Sequence, residues 1–367
     1  MNTTHIVILW TDKNEDYELI KKNIEQRFEI TNQYLIYGSQ ENKYSNYNRL
    51  HKQFPDASFA KKNKKTISSS FYVIYFYDDN PQLEIVGEYS TFYKSNKNTV
   101  NISESLNQFE CIISLNKRDF LIFDTLLDLS KDNNNMLNIV EKDLLGANNW
   151  ESMVQFFSTI TKVCNYVILR NHEFLPYDFF ENDKDIDLLC DDLLIFAIVG
   201  NCTKRSKGIS GFQTTIENQL VPIDIRFVGD DYYDISWEKE MLKNSKIFNN
   251  VVKILSNDDL FFSLLYHALL QKKEIKDKYI QFFTEEIKYR EIKFKNNYSR
   301  REQFIIILKQ YMDSKHYYIV NPRDESVRIN KNYISVLPVQ IKRPRPKNRF
   351  YIFLVSIYYK MKSILVK

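Results

Sequence analysis

Short β-rich runs alternate with amphipathic helical runs along most of this chain, and this alternation limits the possible folds more than any other feature. HIVILW at 5–10 and FYVIYFYD at 71–78 are rich in the β-branched and aromatic residues typical of strands. Between them, residues 12–28 have the apolar spacing of a helix, with Asp12 as the predicted N-cap. The pattern predicts an α+β protein. Its 367 residues exceed the size at which one compact core is common.

The order of these runs predicts four segments. We expect an N-terminal α/β domain of unknown role at 1–120 and a catalytic domain at 121–245, built on a central mixed sheet with helices. A C-terminal helical domain should follow at 246–340, and a basic amphipathic tail at 341–367. Within the catalytic segment, residues 120–165 have mainly helical spacing.

The basic charge of the chain is concentrated in its tail. Residues 342–367 contain eight Lys and Arg and no acid, so the remainder holds 43 basic against 47 acidic residues. This distribution argues against a nucleic-acid-binding surface. The tail joins a Pro-broken basic segment to the short apolar run 350–359, which suits peripheral contact with an anionic membrane. A C-terminal helix docked on the core is the alternative.

Cysteine usage and hydropathy bear on location. The four cysteines show no CxxC spacing and histidines number only five, which argues against a zinc site and favours reduced thiols in a cytosolic protein. No apolar run reaches the roughly 18–20 residues that span a bilayer. We therefore expect a cytoplasmic protein in peripheral contact with the inner face of a membrane.

Three aspartates embedded in apolar runs are the main chemical signal. Asp185 and Asp187 share one face of the predicted strand DIDLLC, because strand side chains alternate. Asp224 lies in a second apolar strand, VPIDIRF. Carboxylates on adjacent strands hold the Mg²⁺ ions that phosphoryl and nucleotidyl transfer require. Solvated aspartates at strand ends are the alternative, although an unpaired buried carboxylate is costly.

The order strand, turn, DIDLL, helix, strand, PIDIR resembles the nucleotidyltransferase fold of the DNA-polymerase-β superfamily. Over roughly residues 150–285 the chain is also similar to nucleotidyltransferase-like proteins of bacterial surface-polysaccharide gene clusters. The reaction expected of these proteins resembles that of the LicD and fukutin group, which transfers phosphocholine or ribitol phosphate from CDP-activated donors. The superfamily's Gly-Ser turn is replaced here by Arg170-Asn171 within LRNHEFLP.

The resemblance implies that Asp185, Asp187 and Asp224 are catalytic ligands of Mg²⁺ (or Mn²⁺). Arg170 is a candidate for a phosphate contact or a structural ion pair, and Arg226 should share the face of Asp224. The candidate substrate-binding residues are Arg170, Asn171, Lys204, Arg205, Lys207 and Arg226. For Lys204, Arg205 and Lys207 a solvated loop is the alternative.

Histidines are weaker candidates for acid-base chemistry. His267 lies in an apolar helix, where a packing role is the main expectation and a general base the alternative. His172 and Glu173 lie nearer the turn and are the other candidate bases.

These features favour a metal-dependent nucleotidyl- or phospho-alditol transferase of surface polysaccharide (capsule or lipopolysaccharide) assembly. Its partners would be a nucleotide-activated donor and a glycan or lipid-linked glycan acceptor. A DxD-type glycosyltransferase of the same pathway is one alternative, and a degenerate binding domain without catalysis is another.

Overall fold

The computed structural model is α+β, as the sequence predicts, and forms two compact units. The first unit contains residues 1–150 and 197–202, and the second contains 151–196 and 203–346. The residues that the structure describes are 3–26, 28–56, 67–78, 82–85, 91–95, 98–101, 110–114, 116–131, 135–182, 185–205, 209–294, 297–320, 322–324, 327, 329 and 330. The bounds of the four predicted segments stay predictions, and the tail 341–367 lies outside the described residues.

The first unit is built on a mixed five-stranded sheet in the order β7-β1-β3-β2-β8. Only β2 and β8 pair in parallel within this sheet. Its strands are β1 (Thr3–Trp10), β2 (Glu29–Tyr37), β3 (Ser70–Asp78), β7 (Glu110–Ile113) and β8 (Leu137–Glu141). A separate three-stranded sheet consists of β4 (Gln82–Ile85), β5 (Thr91–Ser95) and β6 (Asn98–Asn101).

Among its described residues, the first unit has the helices α1 (Asn14–Glu25), α2 (Lys43–Leu50) and α3 (Lys117–Leu127). Helix α1 buries Tyr17, Ile20 and Ile24 against the sheet, as the helical spacing predicts. Its predicted start is wrong, because Lys13 is the N-cap residue and makes no side-chain cap. The helical interpretation of 120–165 is also wrong in part, since β8 lies within it; its pairing with β2 overrides local propensity.

The second unit contains a mixed seven-stranded sheet in the order β11-β12-β13-β10-β9-β15-β14. Its strands are β9 (Tyr166–Ile168), β10 (Ile186–Cys190), β11 (Thr203–Lys204), β12 (Gly211–Ile216), β13 (Gln219–Phe227), β14 (Lys246–Phe248) and β15 (Val252–Ile254). Helix α4 (Met153–Val163) begins at the Ser152 cap and buries the predicted stripe of Met153, Phe156, Phe157 and Ile160. The cysteines Cys164, Cys190 and Cys202 are buried.

The remaining helices are α5 (Phe179–Asn182), α6 (Leu193–Val199), α7 (Ile235–Lys243), α8 (Asn257–Leu270), α9 (Asp277–Tyr289) and α10 (Arg300–Lys315). Helix α8 is buried almost all round, and its residues share one apolar core with Trp237 of α7 and Phe304 of α10. This core fixes the end of α8 beside the central sheet. No helix of the described residues is long and apolar enough to cross a membrane.

Candidate metal centre

Strand pairing in the second unit brings the predicted aspartates together. Strands β10 and β13 are parallel, and their register places Asp187 directly beside Asp224. Asp185 comes one residue before β10, on the same side of the chain as Asp187 by strand alternation. Strand β9 runs antiparallel on the other side of β10 and ends two residues before Arg170.

The three carboxylates form one cluster. Each offers an oxygen, and the three oxygens lie within 4.8 Å of one another. Asp187 is buried, whereas Asp185 and Asp224 are half-buried. Burial raises the pKa of Asp224, and the neighbouring Asp187 raises it further, against the opposing effect of Arg205. Among the described residues this is the one group of three acids, histidines or cysteines close enough to share an ion.

The donor set fits a hard divalent cation. Mg²⁺ and Mn²⁺ prefer oxygen ligands such as carboxylates, which Mg²⁺ holds at about 2.1 Å. The cluster contains no imidazole or thiolate to favour zinc. Asp185, Asp187 and Asp224 are therefore the residues that would hold the cation.

Arg170 binds the central carboxylate rather than standing free to meet a substrate. Its Nε donates to Asp187 Oδ2 at 2.6 Å, and its Nη2 donates to Oδ1 of the same carboxylate. Burial alone would lower the pKa of Arg170, but the charge and hydrogen bonds of Asp187 raise it well above the ordinary value. Of the two roles predicted for this arginine, the geometry matches the structural ion pair.

His267 lies on the far side of the Arg170 guanidinium. Its ring nitrogens are 3.2 Å from Arg170 Nη1, and Nδ1 is 3.0 Å from Gln271 Oε1 and 3.1 Å from the Tyr232 hydroxyl. Gln271 is oriented in turn, because its amide donates to the Tyr232 carbonyl at 3.0 Å. The bonds are satisfied when Nδ1 carries the proton and Nε2 accepts from Arg170. Burial lowers the pKa of His267 strongly, and Arg170 lowers it further, so the ring is neutral.

The two other predicted arginines have different surroundings. Arg205, which is partly exposed, donates to Asp224 Oδ1 at 3.3 Å. Arg226 is buried, donates to Asp324 Oδ2 at 2.9 Å, and stacks over the Tyr232 ring at 4.1 Å. Arg205 thus lies at the solvent-exposed side of the cluster, whereas the Arg226 side chain lies in the protein interior.

The structure describes two of the other predicted substrate-binding residues, Lys204 and Asn171. Lys204 donates to the Ile209 carbonyl at 2.7 Å and covers the Phe212 ring at 4.0 Å. Asn171 has a left-handed backbone (φ 55°) and precedes a single 3-10 turn at His172–Phe174. Lys207 lies outside the described residues.

The candidate bases near the turn have no contact with the carboxylates among the hydrogen bonds of the described residues. His172 packs edge-on against Phe248 at 5.3 Å, and burial lowers its pKa. Glu173 is exposed. The packing role expected for His267 becomes more specific, since this ring positions Arg170.

Several residues around the cluster carried no assignment from the sequence. Tyr232 and Gln271 complete the network around His267. Lys272 and Tyr279 lie within electrostatic reach of Asp187 and Arg170; partial burial lowers the pKa of Lys272, and Arg170 lowers it further. The sequence signal for Gln271 is its spacing: this C-cap residue of α8 follows His267 by four residues, about one helical turn.

Comparison of the chain with protein-family models, curated proteins and solved structures finds no match.

Proposed function

We propose that the protein is a metal-dependent transferase that moves a nucleotidyl or phospho-alditol group from a nucleotide-activated donor to a glycan hydroxyl. The observation that carries this proposal is the pairing of Asp187 with Asp224 across β10 and β13, with Asp185 adjoining. Three convergent carboxylates are the arrangement this chemistry requires. The assignment to surface-polysaccharide assembly rests on the sequence resemblance alone.

The residues of the chain have separate tasks in this proposal. A bound Mg²⁺ or Mn²⁺ would supply Lewis-acid stabilisation of charge on the donor phosphates. Asp185, Asp187 and Asp224 hold that ion, and Arg170 orients Asp187. Arg205, at the solvent-exposed side, and the nearby Lys272 provide positive charge for donor phosphates. Lys207 remains a predicted phosphate contact.

The glycosyltransferase alternative is less consistent with this layout. A DxD motif grips a nucleotide-sugar diphosphate with carboxylates of one segment. Here a third carboxylate, Asp224, comes from a different strand and lies in register with Asp187.

A binding domain without catalysis is the second candidate, and one observation favours it. Both oxygens of Asp187 accept hydrogen bonds from Arg170. A guanidinium neutralises a carboxylate without any metal, so an inactive descendant of such an enzyme could keep its aspartates in this state. The two candidates differ in whether the cluster takes up a divalent cation.

Metal and nucleotide titration separates them. Isothermal titration with Mn²⁺, and then with CTP or CDP in the presence of Mn²⁺, should give metal-dependent nucleotide binding. Asp187→Asn and Asp224→Asn should each weaken it at least about tenfold, or about 1.4 kcal/mol. Asp178→Asn, a change at an exposed aspartate outside the cluster, should leave it unchanged.

Nucleotide binding that needs no metal and ignores Asp187→Asn would reject the enzyme. If donor and metal bind, mass spectrometry of the acceptor product identifies the reaction. A product that gains a phosphate-containing group supports this proposal, whereas one that gains a bare sugar supports the glycosyltransferase.

The same proposal assigns the basic tail, residues 342–367, to peripheral contact with an anionic membrane that carries lipid-linked acceptors. Co-sedimentation with phosphatidylglycerol vesicles tests it. Deletion of 342–367 should abolish binding in low salt, and unchanged binding would exclude this role.

A further inference from the structure

The Arg170 side chain occupies one particular edge of the Asp187 carboxylate. Nε and Nη2 form a fork that faces both carboxylate oxygens at once. Each oxygen keeps one lone pair directed elsewhere. Asp187 can therefore still ligate an ion, but not through the edge that the fork covers.

The guanidinium is held in this place from behind as well. Its third donor, Nη1, meets His267 at 3.2 Å, and Gln271 and Tyr232 fix the ring. His267 and Tyr232 are 4% and 3% exposed, so water does not compete for these bonds. Arg170 is thus held rigidly by its contacts, and its charge has a defined position beside the aspartates.

The position of the Arg170 charge affects how many metal ions the centre can bind. Two-metal phosphoryl-transfer sites hold their ions about 3.5–4 Å apart. A carboxylate bridges such a pair by directing one oxygen to each ion from its outer edge. Asp187, which lies between Asp185 along the strand and Asp224 across it, is the residue placed to bridge. The bridging edge is the one that Arg170 covers.

We propose that Arg170 is a fixed cation that takes the bridging edge of Asp187, so that the centre binds one divalent ion instead of two. This inference rests on the proposed metal-dependent function and defines the metal site more closely. Arg170 is accordingly a positioning residue: it acts through Asp187.

The charges of the cluster agree with one ion. Three carboxylates are accompanied by the guanidiniums of Arg170 and Arg205, which bond to two of them. Lys272 adds a further positive charge nearby, and each divalent ion adds two more, so a second ion is less favourable than the first. Removal of Arg170 uncovers the bridging edge of Asp187 and takes away one positive charge. Both changes favour the binding of a second ion.

Counting bound Mn²⁺ tests the inference without any activity assay. Isothermal titration with Mn²⁺ alone, supported by electron paramagnetic resonance, should give one ion per chain with an uncoupled spectrum. Arg170→Ala should bind two ions, with the spectrum of a coupled pair. Arg170→Lys retains the charge and should bind one. Arg205→Ala, which removes an arginine from Asp224 but leaves the bridging edge covered, should also bind one.

Each other outcome is decisive. Two ions in the unchanged protein, or one ion in Arg170→Ala, would overturn the inference and leave the proposed function intact. No ion in the unchanged protein would reject the proposed function itself, and the inference with it. If Arg170→Ala does not fold, Arg170→Gln, which keeps an amide NH₂ group as a donor but carries no charge, has the same expectation of two ions.

Discussion

Two arginines, one in each compact unit, have opposite surroundings: Arg49 is fully buried and Arg170 is half-buried. In the first unit, Arg49 is fully buried and donates to the backbone carbonyls of Leu145, Ile198 and Val199 at 2.7–3.0 Å. Burial lowers its pKa to about 9. In the second unit, Arg170 pairs with Asp187, and its pKa is raised. Burial of a cation therefore does not by itself decide the direction of its pKa shift; the hydrogen-bond partner does.

The partners explain the difference physically. Two of the carbonyls that bind Arg49 belong to the last turn of α6, where helix carbonyls lack intrahelical donors and carry partial negative charge. Arg49 therefore caps a helix. Arg170 faces a full negative charge that itself belongs to an acidic cluster. Arg49 stabilises the fold, whereas Arg170 neutralises a carboxylate of the acidic cluster.

The largest expected effect is on stability when Arg170 is removed. Arg170→Ala should lower the free energy of unfolding by about 3–5 kcal/mol in metal-free buffer, because it leaves a buried carboxylate unpaired. Urea unfolding followed by circular dichroism measures this. The double variant with Asp187→Asn should lose much less than the sum of the single changes. Additive losses would mean that the ion pair is energetically unimportant.

A smaller loss is expected at Arg49. Arg49→Met removes a desolvated cation while leaving its carbonyls without donors, so the opposing effects should give a net loss of about 1–3 kcal/mol. The same urea experiment compares the two sites. A loss at Arg49 larger than that at Arg170 would invalidate the distinction between capping and charge balance.

A buried acid pair extends the comparison from cations to carboxyl groups. Asp230 and Glu238 lie together near Arg226, and Asp230 Oδ2 has no hydrogen-bond partner unless Glu238 carries a proton. Burial, reinforced for Glu238 by Asp230, raises the pKa of Asp230 to about 6 and that of Glu238 to about 8. Both folded pKa values exceed the unfolded ones, so the folded state retains protons that the unfolded state releases.

The free energy of unfolding should therefore fall as the pH rises from about 5 to about 8. The melting temperature across this range measures it. Asp230→Asn, whose amide can donate to an ionised Glu238, should flatten the profile. A wild-type melting temperature that rises over the same range would contradict the raised pKa values.

The smallest effect on stability is expected at Arg205. Its ion pair with Asp224 is partly exposed, with the arginine side chain 41% accessible, so Arg205→Ala should cost less than about 1 kcal/mol. The same variant should weaken metal-dependent CTP binding about tenfold if Arg205 faces donor phosphates. Isothermal titration provides the measurement. Unchanged CTP affinity would leave Arg205 as a surface charge only.

The sequence pattern predicted those features of the molecule that depend on residues close together in the chain. Strand runs, the apolar stripe of α4 and the shared face of Asp185 and Asp187 follow from side-chain periodicity. The periodicity failed where pairing partners dominate. Strand β8 exists because β2 pairs with it, and the N-cap of α1 shifted to Lys13.

By itself, the sequence determined the α+β class and placed three aspartates in apolar strands. Two features were decided only by the tertiary structure. Asp224 lies in register with Asp187, and Arg170 binds Asp187, the central carboxylate of the three. Periodicity is a property of adjacent residues, whereas register depends on which strands pair. The neutralisation of a buried charge depends on which side chain reaches it, and for Arg170 that is settled by His267, almost a hundred residues away.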